Sequence, residues 1–122
     1  DENELYLAVT RANAVWRVSL IPDGGVSKVG VYIQMSGGAG PDGMALDLEG
    51  GIVLAHVGFG AVWHFSSRGE PISRIESCEG LLTTNGAFGG TNNCDLYITE
   101  SETGTILRAQ LNVPGHNMYS HM

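Results

Sequence analysis

The sequence predicts an all-β fold made of β-propeller blades, each a sheet of four antiparallel strands. Three observations carry this. Stretches of 16 residues beginning at Leu5, Ile52 and Leu96 align without a gap, at offsets of 47 and 44. Each stretch holds two short runs rich in β-branched and aromatic residues around a turn, the pattern of a β-hairpin. Gly and turn residues interrupt the chain too often for a sustained period of 3.6 residues, so almost no helix is expected.

The elements follow in order. In the first unit (about 1–38), LYLAVTRANAVWRVSL folds back at Arg11-Ala12-Asn13, and an outer strand runs from Val29 to Met35. No inner strand precedes Leu5. The second unit (39–80) shows four strands: Met44 to Leu48, Ile52 to Val57, Ala61 to Ser66 and Ile72 to Glu76. Its turns are Glu49-Gly50-Gly51, Gly58-Phe59-Gly60 and Arg68-Gly69-Glu70-Pro71. The third unit (81–122) opens with an inner strand at Thr84-Asn85-Gly86-Ala87-Phe88 and turns at Glu102-Thr103-Gly104. After Leu111 it offers only Val113 to Ser120 as a weak last strand. Val15, Val62 and Ile106 occupy one repeat position, and Trp16, Trp63 and Leu107 the next, so these are candidate core residues.

A four-stranded unit of about 45 residues is a propeller blade, and a ring closes with four to eight of them. The 122 residues supply about 2.7. The ring then closes through further blades or through a second copy, because a sheet face left open carries an apolar patch that drives association. A homo-oligomer in which two chains complete the ring is therefore expected.

Charge narrows the other partners. A net charge of −7, with six cationic residues spread along the chain, offers phosphates no basic stripe, so nucleic acid is excluded as a partner. No apolar run approaches the ~18 to 20 residues that cross a bilayer, and no membrane partner is expected. Cys78 and Cys94 are too far apart for a CxxC motif and are read as free thiols.

Inner strands surround a propeller's channel, so polar residues that open them converge from different blades. Asp42 precedes the Ile52 hairpin by ten residues and Asn85 precedes the Leu96 hairpin by eleven, each followed by Gly. Both are expected at the channel mouth. A carboxylate and an amide oxygen suit Ca²⁺, Mg²⁺ or Mn²⁺, and Zn²⁺ in a mixed set. Read alone, Pro41-Asp42-Gly43 and Asn85-Gly86 fit plain turns equally well. His56 lies near the end of a second strand, where it reaches the channel rim as a substrate contact or serves as a hydrogen-bonded structural residue. His64, His116 and His121 form no metal-binding spacing with it. No GxSxG elbow supports a serine nucleophile, and the glycines of Ser36-Gly37-Gly38-Ala39-Gly40 and Gly89-Gly90 lack the GKS or GKT of a phosphate loop.

PDGMALDLEGGIVLAHVGFGAVWHF followed by SCEGLLTTNGAFGGTNNCDLYITES resembles the senescence marker protein/gluconolactonase/luciferin-regenerating-enzyme-like family, and the likeness extends over nearly the whole chain. The resemblance implies about half of a six-bladed propeller and hydrolysis of sugar or related lactones with one divalent cation in the channel. It implies that Asp42, the aspartate of the PDG motif, is a metal ligand and the catalytic position, with a carboxylate available to take a proton. Asn85 falls at a pore-lining position, as a second ligand or a substrate contact. The glutamate and asparagine that complete the family's ligand set have no counterpart in this chain. The sequence thus points to a lactonase-like hydrolase segment acting on a lactone-like small molecule. The alternative is a non-catalytic β module for oligomerisation or small-molecule binding.

Overall fold

A computed structural model describes residues 3–118. Ten strands form three antiparallel sheets among them: β1 (Glu4–Val9), β2 (Ala14–Leu20) and β3 (Val26–Gln34); β4 (Gly40–Leu46), β5 (Ile52–Val57), β6 (Ala61–Phe65) and β7 (Pro71–Glu76); β8 (Thr83–Gly89), β9 (Asp95–Glu100) and β10 (Thr105–Gln110). Each sheet is a meander in chain order, as a propeller blade is. The only helical element among the described residues is one 3₁₀ turn, Thr10–Ala12, closed by Asn13 in the left-handed region at φ 54°.

All three expected hairpins form. Leu5 pairs with Val18, Leu54 with Trp63, and Ile98 with Leu107. The turn between β5 and β6 places Gly58 and Gly60 at φ 79° and 72°, a backbone that glycine adopts without steric cost.

The middle sheet is covered on both faces, and the alternation of a strand explains how. Ile52 and Leu54 point to the first sheet and, with Phe65 of their own sheet, pack against Val15, Ile33 and Met35. Val53 and Ala55 point to the third sheet and pack with Val62, Leu96 and Ile98. Ile52 through His56 are all buried. Leu54, with 0% exposure, tests the first of these cores. Leu54→Ala is expected to lower unfolding free energy by about 2–5 kcal/mol. A urea midpoint within error of the parent would contradict that.

The end of the chain departs from expectation. The segment from Val113 to Ser120 does not lengthen the third sheet within its described part. It runs back to the inner edge of β4 instead: Leu48 N donates to Pro114 O at 2.8 Å and His116 N to Leu46 O at 2.9 Å. Gly115 forms an isolated bridge with Asp47. Pro114 has no N–H to give to a ladder, and a Cβ on Gly115 would strike the Phe88 side chain, so this Pro-Gly pair suits close crossing rather than a strand. Ser120 and His121 lie outside the described residues. Cys78 and Cys94 are free thiols.

Candidate functional site

Asp42 and Asn85 sit where two inner strands break register. The β4–β5 ladder shifts between Pro41 and Met44, leaving Asp42 and Gly43 as a bulge. The β8–β9 ladder shifts between Thr83 and Asn85, at the matching point of the next sheet. A bulge unpairs the backbone and re-aims a side chain, and bulges are over-represented beside active sites. Pro41-Asp42-Gly43 is thus an irregular piece of strand, not a turn.

The two strands lie side by side. Gly43 is pressed against Asn85, so closely that any Cβ there would overlap the amide. Asn85 is exposed, and its Oδ1 accepts from Gly86 N at 2.9 Å, which leaves Nδ2 as a free donor. Asp42 is exposed, and its carboxylate has no hydrogen-bond or ion-pair partner within the described structure.

The sequence offers His56 two roles, a rim substrate contact and a hydrogen-bonded structural residue, and its surroundings bear on both. It is fully buried, and both ring nitrogens are engaged. Trp63 Nε1–H donates to Nδ1 at 3.1 Å; because indole only donates, the proton sits on Nε2, which donates to Gly37 O at 2.9 Å. Burial lowers the pKa of the ring, outweighing the Gly37 bond that acts to raise it. A substrate hydrogen bond from His56 requires one of these bonds to break.

The loops around the mouth are held by buried polar groups that the repeat did not single out. Thr83 Oγ1 reaches the carbonyls of His56 at 3.1 Å and Ala61 at 2.9 Å, tying β8 to the middle sheet. Glu100, 1% exposed, accepts from the N–H groups of Leu82, Glu102 and Thr103 and from the Thr103 hydroxyl. Burial acts to raise its pKa, but these four bonds outweigh it and hold the carboxyl at about 2. The group therefore stabilises the fold fully above its ordinary 4.5, and that contribution is lost as pH falls through about 2. In urea titrations at pH 7, 4 and 3, Glu100→Gln is expected to start less stable and to lose less on acidification. Parallel losses in the two proteins would contradict this.

The carboxy-terminal crossing closes the other end of the inner strands. Gly115 N donates to Asn93 O, and Asn93 Nδ2 returns a bond to Gly115 O, each at 2.8 Å. A cavity of about 370 Å³ lies between β4 and β8, lined by Met44, Asn85, Phe88 and Asn93 and floored by His116 and Met118. His116 Nδ1 is bonded to Asn117 O at 2.8 Å, so its Nε2 is the free nitrogen. The Pro-Gly pair after the last apolar run was the signal for this crossing.

A blade meander repeated over three antiparallel sheets defines part of a β-propeller. The comparisons narrow that class. Residues 1–102 match the family model described as SMP-30/Gluconolactonase/LRE-like region, and the chain belongs to that family. The lactonase drp35 of Staphylococcus aureus (strain bovine RF122 / ET3-1) is 35% identical over 113 residues, covering 85% of this chain and 35% of its own. A calcium-binding protein, regucalcin, from Agrobacterium tumefaciens str. C58 superposes with a TM-score of 0.80 at 30% identity, over 95% of this chain and 44% of that one. A luciferin-regenerating enzyme shares the fold at a TM-score of 0.80 and 20% identity, over 93% of this chain and 43% of its own. The chain thus spans about a third of the curated lactonase.

Proposed function

We propose that this chain carries part of a divalent-cation-dependent lactone-hydrolysing site, with Asp42 as its metal ligand. The supporting observation is the unpartnered Asp42 carboxylate, raised on a bulge of an inner strand beside the next inner strand, where Asn85 follows a register shift. The donor chemistry fits Ca²⁺, Mg²⁺, Mn²⁺ or Zn²⁺ in type but not in number: Ca²⁺ takes six to eight oxygens, and no cluster of three His, Cys, Asp or Glu occurs among the described residues. Further blades or a second copy of the chain complete the set in this reading, in keeping with the 35% of the lactonase that the chain spans.

When bound, the cation supplies Lewis acidity toward the lactone carbonyl and a water of lowered pKa. Asp42 would be the carboxylate ligand that this chain supplies to it. Asn85 Nδ2, free and pinned beside Gly43, donates to a substrate hydroxyl or ring oxygen and so orients the lactone. The ring of His56 stays bonded to Trp63 and Gly37 and donates nothing to the lactone in this reading. The test is proton release from gluconolactone with EDTA and after adding back each cation, with the solution mass measured in parallel. Cation-restored hydrolysis by an oligomer or a completed ring is expected; hydrolysis indifferent to EDTA overturns the reading.

A further inference from the structure

We propose a second binding site, off the channel, that takes a flat aromatic ligand of about two fused rings between the first and middle sheets. It is independent of the lactone reading. The site is a cavity of about 490 Å³, within the usual range for small-molecule pockets, and this chain supplies both of its walls. One wall is the end of β3 with Tyr32 and Met35, and the other is Phe59, Trp63 and Phe65.

The rings form a continuous surface. His56 and Phe59 stack at 4.8 Å and 8°, Phe59 and Trp63 lie 5.8 Å apart, and Trp63 and Phe65 stack at 6.2 Å and 25°. The Arg74 guanidinium lies 5.6 Å from the Phe59 centroid and 5.5 Å from that of Trp63, which braces the two rings from outside. Tyr32 OH donates to Ser67 O at 2.8 Å and joins the sheets at one end of the groove.

The ligand class follows from which polar groups are spent. Trp63 N–H and both His56 nitrogens bond within the wall, and Gln34 Nε2 is shared among the carbonyls of Ala12, Asn13 and Met35. A sugar or lactone entering here would lose its hydration and find few partners. An aromatic molecule needs none, and ring pairs contribute beyond the area they bury. Arg74 is paired with Glu76 at 2.6 Å, so its charge does not select an anion.

The test titrates 2-naphthol into the full chain carrying Trp16→Phe, which leaves Trp63 as the sole indole, and follows Trp63 emission alongside calorimetry. Decahydro-2-naphthol, of similar shape without π faces, is the control. Saturable one-site binding is expected, at least fivefold tighter for 2-naphthol. Ser36→Phe, which fills the mouth without removing a wall contact, is expected to weaken it tenfold or more. Tyr97→Ser, on the exposed face of the third sheet, is expected to leave it unchanged. Absence of saturable binding, equal affinity for the saturated control, or loss with Tyr97→Ser but not Ser36→Phe overturns the proposal.

Discussion

Asp42→Ala is expected to abolish lactone hydrolysis while leaving the fold intact. The carboxylate is exposed and unpartnered in a bulge, so its removal takes away no packing and strands no hydrogen-bond partner. Surface substitutions of this kind usually change stability by less than about 0.5 kcal/mol. Its absence removes an unpaired carboxylate one residue from the Gly43–Asn85 contact. On the proposed role of Asp42 as a ligand, its loss would release the cation, and a fall in rate of at least ~10² is expected, the lower end of what a positioned catalytic group contributes. Initial rates at saturating cation, with bound metal measured on the same sample, check this. Asp42→Ala protein that keeps both rate and metal would remove Asp42 from the site.

The largest loss of stability is expected at Asp47, which follows β4 at the far end from Asp42. It is 2% exposed, and its Oδ1 accepts from Glu49 N at 2.9 Å and Gly51 N at 2.7 Å, closing the turn into β5. Its Oδ2 meets His64 Nε2 at 2.7 Å, and His64 is 5% exposed. Truncation to Ala leaves the buried Gly51 N–H and His64 imidazole, and the part-buried Glu49 N–H, without this acceptor, and each buried group left unsatisfied costs about 1–3 kcal/mol. Breaking a buried pair by removing one partner costs about 3–5 kcal/mol. Asp47→Ala is thus expected to lose about 3–5 kcal/mol, while His64→Ala, which keeps both turn bonds, loses less. Equal losses from the two would place the stabilisation in the pair rather than in the turn.

Much of the fold is legible in the sequence because hairpins are local. The Ile52 repeat specifies β5 and β6 to within a residue, and the Leu96 repeat places the hairpin of β9 and β10. Bulges are not legible: β4 begins at Gly40 rather than Met44 because Pro41 pairs with His56 across an irregularity that composition does not signal. That irregularity is also what turns Pro41-Asp42-Gly43 from a turn motif into a strand that presents a carboxylate. The roles of His56, Asp47 and Glu100 depend on partners 17 to 19 residues away or on backbone N–H groups, which spacing cannot supply. Proximity in the chain to β10 suggests a last strand at Val113 to Ser120, whereas the backbone partners of its described part are Leu46, Leu48 and Asn93.

The two-faced middle sheet also works as a partition. Ile52 and Leu54 of β5 belong to one apolar cluster and Val53 and Ala55 to the other, and no residue is shared between the two. Substitutions of Leu54 and Val53, adjacent in the chain, therefore fall in separate thermodynamic compartments: each couples to side chains of a different neighbouring sheet. The strand joins the sheets mechanically while insulating their cores from each other, so the aromatic groove on one side and the Asp47–His64 pair on the other are free to vary independently.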